Sequence, residues 1–356
     1  MKILDVFEAQ ATACAELGSP FTAQVLRIAR DQLSPNDALS QRILNWQGDP
    51  STGADSVPLR LSGALHALVL TGQCAALADV YPPNETNSPA LASAIEIAFR
   101  DHAAHILDWL NNAPQTNETA RSAPLIATAH LLTDVYALPL RLLELGTSAG
   151  LNLRWDHMAV ETDDRQLGPK GAAMRLRPDW HGDLPQNSPL KIIERAGVDL
   201  NPLDASNPQD QLRLMAYIWP DQPDRLVRMR QALDLAAKLP AEIDQGDAID
   251  WLENKLARPH VGNLTTIFHT IAWQYFPKSQ QAKGKTLIEA AGANATPGAP
   301  IAWVSMESDG ASPGAALGLR LWPGDHTVAL GRADFHGRWV RWEIGSHLHA
   351  LHQPKD

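Results

Sequence analysis

From Leu4 to about Ala137 apolar residues recur at helical spacing, as in Val25, Ile28 and Ala29, or Ile95, Ala98 and Ile106. Such spacing gathers them on one face of each successive helix. The pattern breaks at Ser19-Pro20, Ser34-Pro35, Asp49-Pro50, Tyr81-Pro82-Pro83 and Ala113-Pro114. Proline removes a backbone donor and restricts the residue before it, so each break ends one helix or starts the next. Residues 1–137 are therefore predicted to form an N-terminal helical domain, in which His66, on an apolar face, reads as a core histidine.

At Leu138 the pattern changes to short apolar runs alternating with helical stretches, as in a mostly parallel α/β sheet. Strands are predicted at Arg141–Leu145, Leu190–Val198, Glu242–Gln245, Thr265–His269, Ile301–Met306, Leu317–Leu321 and Trp339–Ile344. Helices fill residues 149–155, 209–238, 248–256, 273–284 and 286–291, and a hairpin is inserted near 158–185. Five helix-linked strands closed by a terminal antiparallel pair make residues 138–356 an α/β domain with a seven-stranded sheet, Rossmann-like and of the class I methyltransferase type. A dinucleotide-binding dehydrogenase would continue with parallel strands instead.

Composition narrows the partners. With 44% hydrophobic and 20% charged residues the chain reads as a globular protein, and its net charge of -10 argues against nucleic acid as a partner. Cys14 and Cys74 are too few for a disulfide scaffold and lack zinc-ligand spacing. Asp5 and Glu8 interrupt the start where a signal peptide would be apolar, and no run approaches the roughly 20 apolar residues of a membrane span. Leu59–Val80, the most apolar early run, contains Arg60, His66, Gln73 and Asp79. A cytoplasmic location, no membrane partner and no metal site are expected; His347, His349 and His352 lack carboxylate or thiolate partners at ligand spacing.

The segment LLELGTSAGLNLRWD carries the most chemistry. A strand ending in Glu144, a turn through Gly146, Ser148 and Gly150, and the following helix, which carries Asn152, would bring backbone amides and a carboxylate to one ligand. Methyltransferases set such a turn against the methionine and ribose of S-adenosyl-L-methionine, with the acidic residue near the ammonium. Gly146-Thr147-Ser148-Ala149-Gly150 also spells the G-x-S-x-G elbow of an α/β-hydrolase. Ser148 would then be the nucleophile, with Asp247 or Asp250 and His326 or His336 as partners. No HGGG-like run supplies a second oxyanion amide, and Glu144 has no role in an elbow.

Three further strand ends fit a cofactor crevice. ERAGVDLNPLD puts Asp199, Asn201 and Asp204 where a carboxylate accepts ribose hydroxyls. Asp199 follows Glu144 by more than 50 residues, beyond the usual spacing of about 20, so Glu161 stands as the fallback. Asp247 either reads an adenine amino group or caps the next helix. His269 at the end of its strand, with Trp273 and Tyr275 after it, is placed to act as general base or to bind substrate; a packed, hydrogen-bonded His269 is the competing possibility.

The blocks LSGALHALVLTG, QTNETARSA, LLELGTSAGLNL, ERAGVDLNPLD, LMAYIWPDQPDRL, FHTIAWQYFP, IAWVSMES and FHGRWVRW resemble the bacterial domain of unknown function 2332 family along nearly the whole chain. Its Q-T-N-E-x-x-R block falls on Gln115, Thr116, Asn117, Glu118 and Arg121. These would converge on one polar ligand, with Arg121 clamping a carboxylate, or would cap a helix and brace the domain junction. Methyl transfer from S-adenosyl-L-methionine to a small polar acceptor is the expected activity, with His269 and Tyr275 as catalytic candidates. Glu144, Gly146, Ser148, Gly150, Asn152, Asp199, Asn201 and Asp247 are expected to bind the cofactor, and Asn117, Glu118, Arg121 and Trp273 the acceptor. A sensor that binds the nucleotide without turnover, and the Ser148 hydrolase, are the alternatives.

Overall fold

The computed structural model describes residues 2–344, so His347, His349 and His352 lie outside the described residues. Its helices are α1 (Ile3–Glu16), α2 (Pro20–Gln32), α3 (Ala38–Leu44), α4 (Val57–Leu70), α5 (Ala75–Ala78), α6 (Ser88–Asp101), α7 (Ala103–Trp109), α8 (Ser122–Tyr136), α9 (Pro208–Ala216), α10 (Pro223–Lys238), α11 (Ala248–Leu256) and α12 (Lys278–Ala293). The chain divides into two compact units, one holding residues up to Thr116 together with Asn207–Arg230, the other Asn117–Ser206 and the chain from Gln231 onward.

The first unit is helical. Its caps are local: Asp37 accepts from the Ser40 amide (2.8 Å) to start α3, Asn87 from Ala90 (3.0 Å) to start α6, and Pro20 opens α2. Phe7, Leu26, Leu61, Leu65 and Ile95 form its core with Tyr217 and Trp219, which reach it from the later segment. His66 is a satisfied core residue, its Nδ1 3.1 Å from the Ala216 carbonyl, and burial pulls its pKa down to about 4. The predicted single helix over 209–238 is α9 and α10, separated by the turn that holds Trp219 and Pro220, with Pro223 opening α10. Helix α8 packs on residues 151–161 and belongs with them to the second unit.

The second unit is built on a sheet of nine strands rather than the predicted seven. Its strands are β1 (Leu140–Leu145), β5 (Asp179–His181), β6 (Ile192–Asp199), β7 (Glu242–Gln245), β8 (Leu264–Thr270), β9 (Ile301–Glu307), β10 (Ala315–Trp322), β11 (His326–Ala333) and β12 (Trp339–Trp342), in the order β5-β12-β11-β10-β9-β8-β1-β6-β7. A small second sheet, β2 (Met158–Glu161), β3 (Gln166–Leu167) and β4 (Met174–Leu176), stands where the inserted hairpin was expected. The run β7-β6-β1-β8-β9 is parallel, and β10, β11 and β12 continue it as an antiparallel meander. β1 and β8 are buried along their whole length, including their polar residues Arg141, Glu144, Thr265, Thr266, His269 and Thr270. β11 escapes sequence reading because Gly331, His326 and Arg332 blur its alternation and a bulge at Leu317/Gly318 shifts the pairing.

Candidate functional site

From β1 the chain runs outward through β6 to β7, then returns across β1 to β8 and β9. β1 is thus the switch point, where the strands' carboxyl ends open a crevice in an open α/β sheet. Glu144 sits at that end of β1, and the turn after it is tied down by the protein itself. Gly146 and Thr147 amides both donate to the Val198 carbonyl (2.9 and 3.0 Å), and Gly150 donates to Thr147 (2.8 Å). The Ser148 amide donates to Asp199 Oδ2 (2.8 Å) and the Leu151 amide to Asn117 Oδ1 (2.9 Å). The expected helix at 149–155 is a 3₁₀ segment, Leu151–His157, kinked at Arg154. It therefore offers no α-helical N-terminus to an anion.

Both turn glycines answer to packing. Gly146 has φ +71°, and a Cβ on it would fall 2.6 Å from the Cβ of Ala272; on Gly150 it would fall 2.6 Å from Ile243 Cδ1. Only glycine takes such backbone without strain at so close an approach.

Glu144 is 2% exposed and accepts a short hydrogen bond from the Thr147 hydroxyl. Burial raises its pKa to about 8; Thr147, Arg154 and Arg121 pull it down and Asp199 pushes it up. It forms no ion pair among the described residues. Asp199 holds the two loops together: Oδ2 takes the Ser148 amide and Oδ1 the Asn201 amide (2.9 Å). Asn152 accepts from the Ser122 hydroxyl (2.8 Å) and so anchors α8.

Asp247 is the N-cap of α11, accepting from the Ile249 and Asp250 amides (2.8 and 3.1 Å) and from Gln280 (2.7 Å). The capping alternative thus accounts for both its oxygens. Glu161, the fallback for the ribose, pairs with Arg175 and Arg177 in the small sheet. Its charge is already compensated there. Asp204 binds Ser206 in the following loop.

At the end of β8, His269 Nδ1 lies 2.7 Å from Glu307 Oε1, and the Trp303 indole N–H donates to its Nε2 (2.9 Å). An indole can only donate, so the ring proton sits on Nδ1 and both nitrogens are engaged. Trp273 stacks on the ring at 5.0 Å. Glu307 also accepts from the Ala272 and Trp273 amides (both 3.0 Å), pinning a loop in which Ile271 has φ +51°. Burial pushes the Glu307 carboxyl up, but the His269 bond and these amides outweigh it and hold it below the ordinary range. Tyr275 is 63% exposed.

The Asn117–Arg121 segment crosses this crest. Beyond the Asn117 bond to the turn, Glu118 accepts from the Ala120 amide (3.1 Å), while Arg121 donates to the carbonyls of Phe335 (2.8 Å) and Thr270 (3.4 Å). All three side chains are buried. Arg121 thereby joins the end of β8 to the β11–β12 turn.

Ser148 has φ +54°, the left-handed backbone that an elbow would also use. Of its proposed partners, His326, Asp247 and Asp250 are placed or engaged elsewhere. β11 starts at the amino edge of the parallel strands, so His326 lies at the opposite end of the sheet; His336 is in the β11–β12 turn, with β10, β9 and β8 between β11 and β1. Asp247 is a cap, and Asp250 pairs with Lys283 (2.7 Å).

Sequence reasoning passed over Glu307 and Arg154. Glu307 closes the apolar run IAWVSME at a strand's carboxyl end, a position of the kind that singled out Glu144 and Asp199. Among the described residues no group of three His, Cys, Asp or Glu is arranged to hold a metal, no helix is long and apolar enough to cross a membrane, and both cysteines are free.

A family model described as an uncharacterized protein conserved in bacteria (DUF2332) matches residues 5–342, and the chain belongs to that family. No curated protein and no solved structure matches it.

Proposed function

We propose that the crest of β6, β1 and β8 binds S-adenosyl-L-methionine and that the protein transfers its methyl group to a small polar acceptor. The carrying observation is Glu144, a buried carboxyl at the switch point, raised to about 8 by burial and without an ion-paired cation among the described residues. An ammonium satisfies such a group by favouring its charged form. Asp199 keeps further lone pairs on both oxygens for ribose hydroxyls, although each already accepts one amide. The tied-down turn makes a poor phosphate cradle, which favours this cofactor over a dinucleotide.

When bound, the cofactor supplies an electrophilic methyl group on a sulfonium. The chain's part is to orient and to exclude water. The pinned loop after β8 and the Asn117–Arg121 segment give rigid walls, and Trp273 and the exposed Tyr275 are the side chains available to an acceptor. His269 is a positioning residue here, since neither ring nitrogen is free to take a proton. That engagement also favours a second reading, in which the cofactor is bound without turnover.

Calorimetric titration with S-adenosylhomocysteine and with NAD tests the proposal. Binding of S-adenosylhomocysteine, weakened at least about tenfold in Glu144→Gln, is expected. Equal binding by wild type and variant, no binding, or preference for NAD would overturn it.

A further inference from the structure

A cavity of about 440 Å³ lies beside edge strand β7, next to the turn after β1 and the loop after β6. The loop Pro202–Ser206, the end of α10 and the turn at Pro240–Ala241 enclose it, with Ala149 and Arg154 behind. Arg154 is 3% exposed, yet its hydrogen bonds go to uncharged carbonyls: Nε to Leu239 (2.7 Å) and Nη1 to Gly150 (2.5 Å). It forms no ion pair among the described residues. Burial lowers its pKa, to about 10, which still leaves it charged at neutral pH. Glu144, the carboxyl that acts on it electrostatically, is largely protonated at that pH.

A buried cation without a counter-ion is costly, and an anion reaching it gains a charge-assisted bond in a low-dielectric setting. The remaining wall is mostly apolar: Ala149, Leu203, Ala236 and Ile243. Asp204 stands exposed at the rim, its carboxylate held below the ordinary range by Ser206. A second negative charge on a ligand would meet that carboxylate; a single one next to Arg154, on an apolar body, would not. We infer that this cavity binds a small monocarboxylate, its carboxylate paired with Arg154 and its hydrocarbon part against Ala149, Leu203, Ala236 and Ile243.

The inference applies to the chain with no ligand added at the crest, where Glu144 is largely protonated, and does not rest on the identity of a crest ligand. Its probes are hexanoate and benzoate, with hexanamide as neutral counterpart and inorganic phosphate as dianion, titrated into the full chain by calorimetry. A carboxylate should bind at least about tenfold more tightly than hexanamide and than phosphate. Arg154→Lys should weaken it by a similar factor, because an ammonium held elsewhere does not reproduce the guanidinium fork. Ala237 is exposed and lines the mouth, so Ala237→Trp should plug the cavity while leaving the melting curve in place. That variant decides the matter if Arg154→Lys does not fold. No carboxylate binding, equal binding of hexanamide, tighter binding of phosphate, or undiminished binding in Ala237→Trp would each overturn the inference.

Discussion

Replacing Glu144 by Gln should change how stability depends on pH, in a direction that follows from burial. The Glu144 pKa is about 8 in the folded chain against 4.5 for an ordinary glutamate. Below pH 4.5 both folded and unfolded forms carry the proton, and the carboxyl is neutral where it is buried. Between 4.5 and 8 the unfolded chain releases the proton and the folded chain keeps it, so stability falls as pH rises, by about 1.4 kcal/mol per pH unit. The whole gap corresponds to about 5 kcal/mol lost by pH 8, a large share of the 5–15 kcal/mol typical of a domain. Gln has no such titration and still accepts the Thr147 hydroxyl proton. Urea unfolding at pH 5, 6.5 and 8, followed by tryptophan fluorescence, would measure the difference between the two proteins and cancel groups they share. The variant should gain on the wild type steadily across this window. Curves that stay parallel would refute a buried, proton-bearing Glu144.

At pH 7 Glu144 is about nine-tenths protonated, so binding a ligand ammonium against it should release nearly one proton; calorimetry of S-adenosylhomocysteine in buffers of different ionisation heat would count it. Gly146→Ala should destabilise the second unit by roughly 1–3 kcal/mol through its positive φ and the Ala272 contact, with partial recovery in the double variant carrying Ala272→Gly; full additivity in a double-mutant cycle would count against that contact. Glu307→Ala removes the acceptor of two loop amides and of His269, and amide exchange at Ala272 and Trp273 should quicken by roughly tenfold or more. Arg121→Lys should lower the melting temperature and leave S-adenosylhomocysteine affinity within about twofold, because Arg121 holds two carbonyls on other elements; a large loss of affinity would instead put the guanidinium on the ligand.

The parallel half of the sheet was legible because its strands are short segments rich in apolar and β-branched residues set between helices, and the central ones, Leu140–Leu145 and Leu264–Thr270, are buried along their length. The meander was less so: β11 alternates imperfectly and β5 has three residues, too short for any period to emerge. The segment after the Gly-rich turn looked helical by composition and became 3₁₀, with Arg154 bonding both Gly150 and Leu239. Site roles were harder still. Asp199, Asp247 and His269 were correctly placed at strand ends, but a sequence does not show that Ser148, Gln280, Glu307 and Trp303 would be their partners. Pairings across 34 and 38 residues, as for Trp303 and Glu307 with His269, arise only when β8 and β9 lie side by side.

Those pairings bear directly on what the crest can attract. In a dinucleotide-binding turn the amides after the first strand face outward to an anion, and a glycine is needed so that the ligand can come close. Here the same amides donate to Val198, Thr147, Asp199 and Asn117, while Gly146 and Gly150 are required by Ala272 and Ile243. The positive potential of the turn is thus answered within the protein, by one carboxylate, one amide side chain and backbone carbonyls. Glu144 remains as the buried ionisable group at the end of β1, and a ligand cation converts it from neutral acid to paired carboxylate. On the proposed function, a crest arranged in this way would favour a positively charged or zwitterionic ligand head over pyrophosphate, the charge preference that separates a sulfonium amino acid from a dinucleotide.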